Sequence, residues 1–222
     1  TGTIPSELGR WTSIEEFGVS QNQLAGSIPS ELGRWTSITN VQFFNNTLTG
    51  TIPTELGLWT SMKSFGVSVN QLTGSIPSEL GSWTCITSAQ FWDNVLTGTI
   101  SSELGLWTSL EAVGAQRNQL AGSIPSEIGS WTSVTLANFE ITALAGSIPS
   151  ELGQLTAIEG FSVAKNLLTG SIPSALGRWT SVSFANFELN ALTGAIPSEL
   201  GHWTSIGGFG VSGNQLIGSI PS

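Results

Sequence analysis

The sequence predicts a solenoid of stacked coils, about nine of them in one elongated domain over residues 1–222, with a parallel sheet along one side. Three observations carry this expectation. The stretch Leu72 to Thr84 (LTGSIPSELGSWT) returns almost unchanged every 24 residues, as at Leu48 to Thr60 (LTGTIPTELGLWT) and Leu168 to Thr180 (LTGSIPSALGRWT). Apolar residues recur at fixed phases of this unit, at Leu24, Ile28, Leu32, Trp35, Ile38, Val41 and Phe43 in the first full cycle. Gly26 and Gly33 recur in every copy.

Each element follows from its residues. Glu16 to Ser20 alternates outward and apolar side chains, with Phe17 and Val19 inward, which is the pattern of a half-buried strand. Asn22 and its column mates come just after that strand, where an Asn side chain can bond the turn and the next coil. A buried Asn is costly unless so bonded. Leu24 to Ile28 reads as a second short strand with Ala25 and Ser27 outward. Ser30 to Gly33 reads as one helical turn, opened by Pro29 and closed by Gly33.

This spacing, L-x-x-L-x-L-x-x-N-x-L followed by LTGxIPxELGxL, closely resembles the 24-residue plant-type leucine-rich repeat. The resemblance covers the whole chain. It implies a right-handed solenoid with the parallel sheet on the concave face, and a short second sheet and short helical turns on the other sides. It also implies an extracellular or cell-surface location and partner binding on the concave face. The family's Leu after the helical turn is Trp here, from Trp11 to Trp203, with Leu155 the exception. Indoles stacked between coils to fill the core explain that column. The true period is 48: Phe17-x-Val19 alternates with Val41-x-Phe43, so each large residue lies beside a small one. Val113-x-Ala115 breaks this rule and predicts looser packing.

Composition narrows the function. Net charge is −9 and only 9% of residues are charged, which argues against nucleic acid. No apolar run is long enough to span a membrane, and no signal peptide is visible. The single Cys85 stands in a Ser column. No Ser-His-Asp set, metal spacing or phosphate-cradling loop is present, so catalysis and cofactors are not expected. The chain starts and stops inside a repeat, without capping repeats. That predicts either flanking segments or coils stacked end to end into a filament.

Two faces are candidate sites. On the concave face the outward candidates are Gln42, Phe44, Asn45, Gln90, Trp92, Asp93, Arg117, Asn138, Glu140 and Glu188, with Phe44 and Trp92 read as exposed aromatics of the kind that anchor interfaces. The Gln42, Gln90, Asn138, Asn186 column repeats every 48 residues, which points to a part-structural role. A protein or glycan is the expected ligand there. The alternative is ice, bound on the flat hydroxyl and methyl face of the second sheet. Its outward residues are Thr1, Thr3, Ser27, Thr49, Thr51, Thr73, Ser75, Thr97, Thr99, Ser123, Ser147, Thr169, Ser171 and Thr193. A Glu column, Glu7 to Glu199, is read as helix-end complement and solubility.

Overall fold

The computed structural model describes residues 2–220. Thr1, a candidate of the hydroxyl face, lies outside the described residues. Nine parallel strands, from Glu16–Gly18 to Gly208–Gly210, form one sheet in chain order. Coils one to nine are numbered here by these strands. Partners in the sheet are always 24 residues apart, as in Phe17↔Val41, Val41↔Phe65 and Phe65↔Ala89. The register is fixed because a one-residue slip would turn every core residue outward.

Opposite the sheet, each coil carries a 3-10 helix of five residues, such as Ser30–Arg34 and Ser78–Ser82. Proline sets the extended backbone before it, with Pro29 at φ −68°. The helix stops at an inverse γ-turn: Trp11 has φ −82° and ψ 63°, and Thr12 N–H bonds Arg10 O at 3.0 Å. No side chain caps these helices at the proline that precedes them. Ser78 and Ser126 instead donate to their neighbours Glu79 and Glu127 at 3.4 and 3.2 Å. The glycine column here is demanded by proximity: a Cβ on Gly33 would stand 2.5 Å from Glu55 O of the next coil.

The Trp column is core, as its spacing predicts. Trp35, Trp59, Trp83 and Trp107 stack in sequence, with centroids 5.9, 6.1 and 6.3 Å apart and rings within 11° of parallel. Each buried indole also donates across the stack. Trp59 Nε1 bonds Leu32 O at 2.9 Å, and Trp107 Nε1 bonds Leu80 O at 2.7 Å. The Asn column forms the mutual ladder expected of it. Asn46 Nδ2 donates to Val19 O of the preceding coil and Phe43 O of its own, at 3.0 Å each, and Oδ1 accepts from Leu24 N–H at 2.9 Å.

The 48-residue alternation also holds. Phe17, Phe43, Phe65 and Phe91 touch diagonally, with centroids 5.8, 6.5 and 5.8 Å apart. The row of phenyl rings is interrupted at Val113 and Ala115, both still buried, and Phe91 there lies parallel to Trp107 at 6.5 Å.

The second sheet differs from expectation. It forms two three-stranded pieces and isolated bridges at Thr51↔Thr73 and Thr99↔Ala121. Every copy carries a left-handed glycine at this point, such as Gly50 at φ 76° and Gly74 at φ 74°, and the strand Ala143–Ser147 runs through Gly146 at φ 78°. The rungs persist all the same, with Thr73 N–H on Gly50 O and Thr97 N–H on Gly74 O, both at 2.8 Å.

Candidate functional site

The concave face follows the strand alternation, and its finish depends on the neighbouring coil. Large outward residues on even coils face glycines on odd ones. A Cβ on Gly66 would collide with Gln42 Oε1, and one on Gly114 would meet Gln90 Oε1 at 2.6 Å and Trp92 Cδ1 at 3.0 Å. The even-coil side chains therefore fold back over the odd coils. This corrects the reading of Phe44 and Trp92 as projecting aromatics: both are half-buried, because a glycine beside each leaves room for the ring to lie down.

Several candidates are committed to local bonds. Gln42 Nε2 donates to Asn40 Oδ1 at 2.8 Å and Ser64 Oγ at 2.9 Å. Gln90 Nε2 reaches Ser88 Oγ at 3.4 Å. Asn138 Oδ1 accepts the Glu140 N–H at 3.0 Å. Glu188 accepts from Ser212 Oγ at 2.7 Å. The part-structural reading of the Gln42, Gln90, Asn138 column is therefore correct.

Asn45, Asp93 and Arg117 share a feature that the sequence did not reveal. They occupy a column of left-handed residues that closes each strand, with φ 56°, 58° and 55°. The same column holds Val69 at φ 54° and Ile141 at φ 56°, β-branched residues for which this region costs roughly 1–2 kcal/mol. The ladder holds them there: Asn45 N–H bonds Ser68 O, and Asp93 N–H bonds Gln116 O, at 2.9 and 3.0 Å. Gly213 ends the column, and it alone among these residues needs no such restraint.

The structure brings Trp92, Arg117, Asn138 and Glu140 together. With Gln116, Ile141 and Lys165 they enclose a depression of about 370 Å³ over coils four to seven. Lys165 Nζ lies 3.5 Å from Glu140 Oε1. Gln116 Oε1 is buried and has no hydrogen-bond partner among the described residues. Phe44, Asn45 and Gln42 lie two coils away and are not part of it. Two concave residues escaped the sequence reading, Leu136 and Phe184, at 51% and 47% exposed. They stand two positions before Asn138 and Asn186, so strand alternation alone places them outward.

On the hydroxyl face, Thr3, Ser27, Thr49, Thr51, Thr73, Ser75, Thr97, Thr99, Ser123, Ser147, Thr169, Ser171 and Thr193 are all exposed, as expected. The second column rests on the turn glycines of the next coil. A Cβ on Gly74 would stand 2.8 Å from Thr51 Cγ2. On the helix side the Glu carboxylates are exposed or half-buried. The Glu103 carboxyl is held below the ordinary carboxylate range, first by Ser101, which stands where other coils have Pro, and then by a backbone bond and Ser102.

Parallel strands at a 24-residue register, an Asn ladder at their ends and short 3-10 helices opposite decide the architecture. The fold is the leucine-rich-repeat solenoid. Compared with protein-family models and with curated protein sequences, the chain matches none. Solved leucine-rich-repeat structures do match. The plant peptide hormone receptor RGFR1, solved in complex with RGF2, superposes with a TM-score of 0.95 at 32% identity, over 97% of this chain and 34% of the receptor chain. The LRR ectodomain of the Arabidopsis thaliana receptor kinase GASSHO1/SCHENGEN3, in complex with CASPARIAN STRIP INTEGRITY FACTOR 2, gives 0.85 at 29% identity, over 98% and 29% of the two chains. A plant ice-binding protein gives 0.81 at 23% identity, over 100% and 71%, and this likeness shows the fold alone. The leucine-rich-repeat solenoid described here spans about a third of each of these two receptor chains. No described helix is long and apolar enough to cross a membrane.

Proposed function

We propose that this chain is a non-catalytic recognition module of the plant-type, 24-residue leucine-rich-repeat class, extracellular or at the cell surface, which binds a protein or glycan on its concave face. One observation carries the reading. The second-sheet and helix sides of the coil repeat nearly the same residues, whereas the concave columns vary and gather an aromatic ring, two amides and charges of both signs around one depression. The likeness to receptor ectodomains supports the location and the binding role. Alanine at Trp92 is expected to weaken binding of partners recovered by pull-down at least tenfold, with a smaller loss at Phe44. Unchanged binding in the Phe44→Ala, Trp92→Ala double variant would remove the concave face from the reading.

The hydroxyl face supports a second reading, ice binding. Its outward columns are Ser, Thr, Ala and one Ile without a charge, and the backbone rungs hold them at a fixed repeat. Thermal hysteresis by the purified chain, abolished in the Thr49→Lys, Thr73→Lys, Thr97→Lys variant, is the expected result. Absence of hysteresis in the unmodified chain rejects it.

A further inference from the structure

The depression on coils four to seven has a chemistry of its own. Charges alternate along the solenoid axis around it: Asp93, Arg117, Glu140, Lys165 and Glu188 come from successive coils four to eight. Donor and acceptor groups are thus set out in turn, one per coil. Coils stand about 4.8 Å apart at the sheet, close to the advance of one residue in an extended β-1,4-linked glycan. Within this row one ion pair forms among the described residues, Lys165 to Glu140.

The floor adds two features. Trp92 folds back over Gly114, so its outward side forms a low wall of the depression instead of a projecting knob. Gln116 Oε1 makes no bond and is buried. Its terminal torsion is broad and roughly two-fold, so turning the amide toward a ligand hydroxyl breaks no existing bond. A buried acceptor without a partner is expensive, and a ligand donor relieves that expense.

Resting on the concave-face reading, we infer that this depression is a subsite for a neutral glycan. A pyranose ring packs against Trp92. Its hydroxyls donate to Gln116 and Glu140 and accept from Arg117 and Lys165. Neutral sugar fits better than a polyanion, because the charges along the row nearly cancel and the whole chain carries −9. A protein partner would use the exposed apolar residues nearby, Leu136 and Phe184, and this gives the test its contrast.

The test is calorimetric titration of the purified chain with cellohexaose, mannohexaose and xylohexaose, and with hexagalacturonic acid as the polyanion. At least one neutral hexasaccharide is expected to bind, and the acid to bind at least tenfold more weakly. Trp92→Ala and Gln116→Leu each lower the neutral affinity about tenfold or more, while Arg10→Gln on the helix side leaves it unchanged. Circular dichroism confirms folding, and Trp92→Phe, which keeps a ring, restores part of the affinity. No binding by any neutral hexasaccharide overturns the inference, as does equal binding of the acid or full affinity in Trp92→Ala. A protein partner lost on alanine substitution at Leu136 and Phe184, without glycan binding, overturns the glycan assignment and leaves concave recognition standing. Glycan binding indifferent to every concave substitution overturns both.

Discussion

Trp107→Ala is expected to lower unfolding free energy by about 4 kcal/mol, read as a shift of the urea midpoint. Three losses add up. The indole is fully buried, so its removal leaves a cavity in a core that cannot close over it. It stacks on Trp83 at 6.3 Å and on Trp131 at 6.1 Å, and each such contact is worth about 0.5–1.5 kcal/mol beyond buried area. Its Nε1 bond to Leu80 O also goes. That carbonyl still accepts from Trp83 N–H, so the loss is mainly of packing. Coils pack only on their neighbours, and Trp107 joins coil four to coils three and five. The same variant is therefore expected to broaden the urea transition, as the two halves begin to unfold separately. Trp107→Leu should cost markedly less, because Leu155 fills the same column, fully buried, without an indole.

Asn118→Ala is expected to cost about 3 kcal/mol, more than its small volume suggests. Its side chain donates to Phe91 O at 3.1 Å and Ala115 O at 3.0 Å, and accepts from Leu96 N–H at 3.0 Å. Alanine leaves Leu96 N–H and Ala115 O without that partner, while Phe91 O still accepts from Asn94 Nδ2 at 3.0 Å, and an unmade buried bond costs about 1–3 kcal/mol. The chain contains the reverse experiment. Thr142 occupies the Asn column and uses its hydroxyl on Asn166 Oδ1 at 2.5 Å. Leu120 N–H, whose counterparts Leu96 and Leu144 bond an Asn of the next coil, has no such acceptor there. Thr142→Asn should therefore stabilise by about 1 kcal/mol. A loss of stability in Thr142→Asn would contradict this account of the ladder.

The coil length, the inward columns and the roles of the Trp and Asn columns were legible in the sequence because each repeats at a fixed phase. Nine repetitions make a pattern that no single strand or turn could. The concave site was only half legible. Trp92, Arg117, Asn138 and Glu140 were named as outward residues, and they do line one depression. Their assembly around Gln116 Oε1, the reclining of Phe44 and Trp92, and the left-handed column from Gln21 to Leu189 were not. Leu136 and Phe184 were within reach of simple alternation and were passed over.

By itself, then, the sequence determined the solenoid, its register and what fills its core, because those depend on periodicity, and periodicity is written along the chain. Only the tertiary structure decided the shape of the concave surface. There the conformation of a side chain is set by a residue 22 positions away, as Gly114 sets that of Trp92. A left-handed Ile141 is held by a backbone bond to the next coil, Ile141 N–H to Ala164 O at 3.0 Å, against its own local preference.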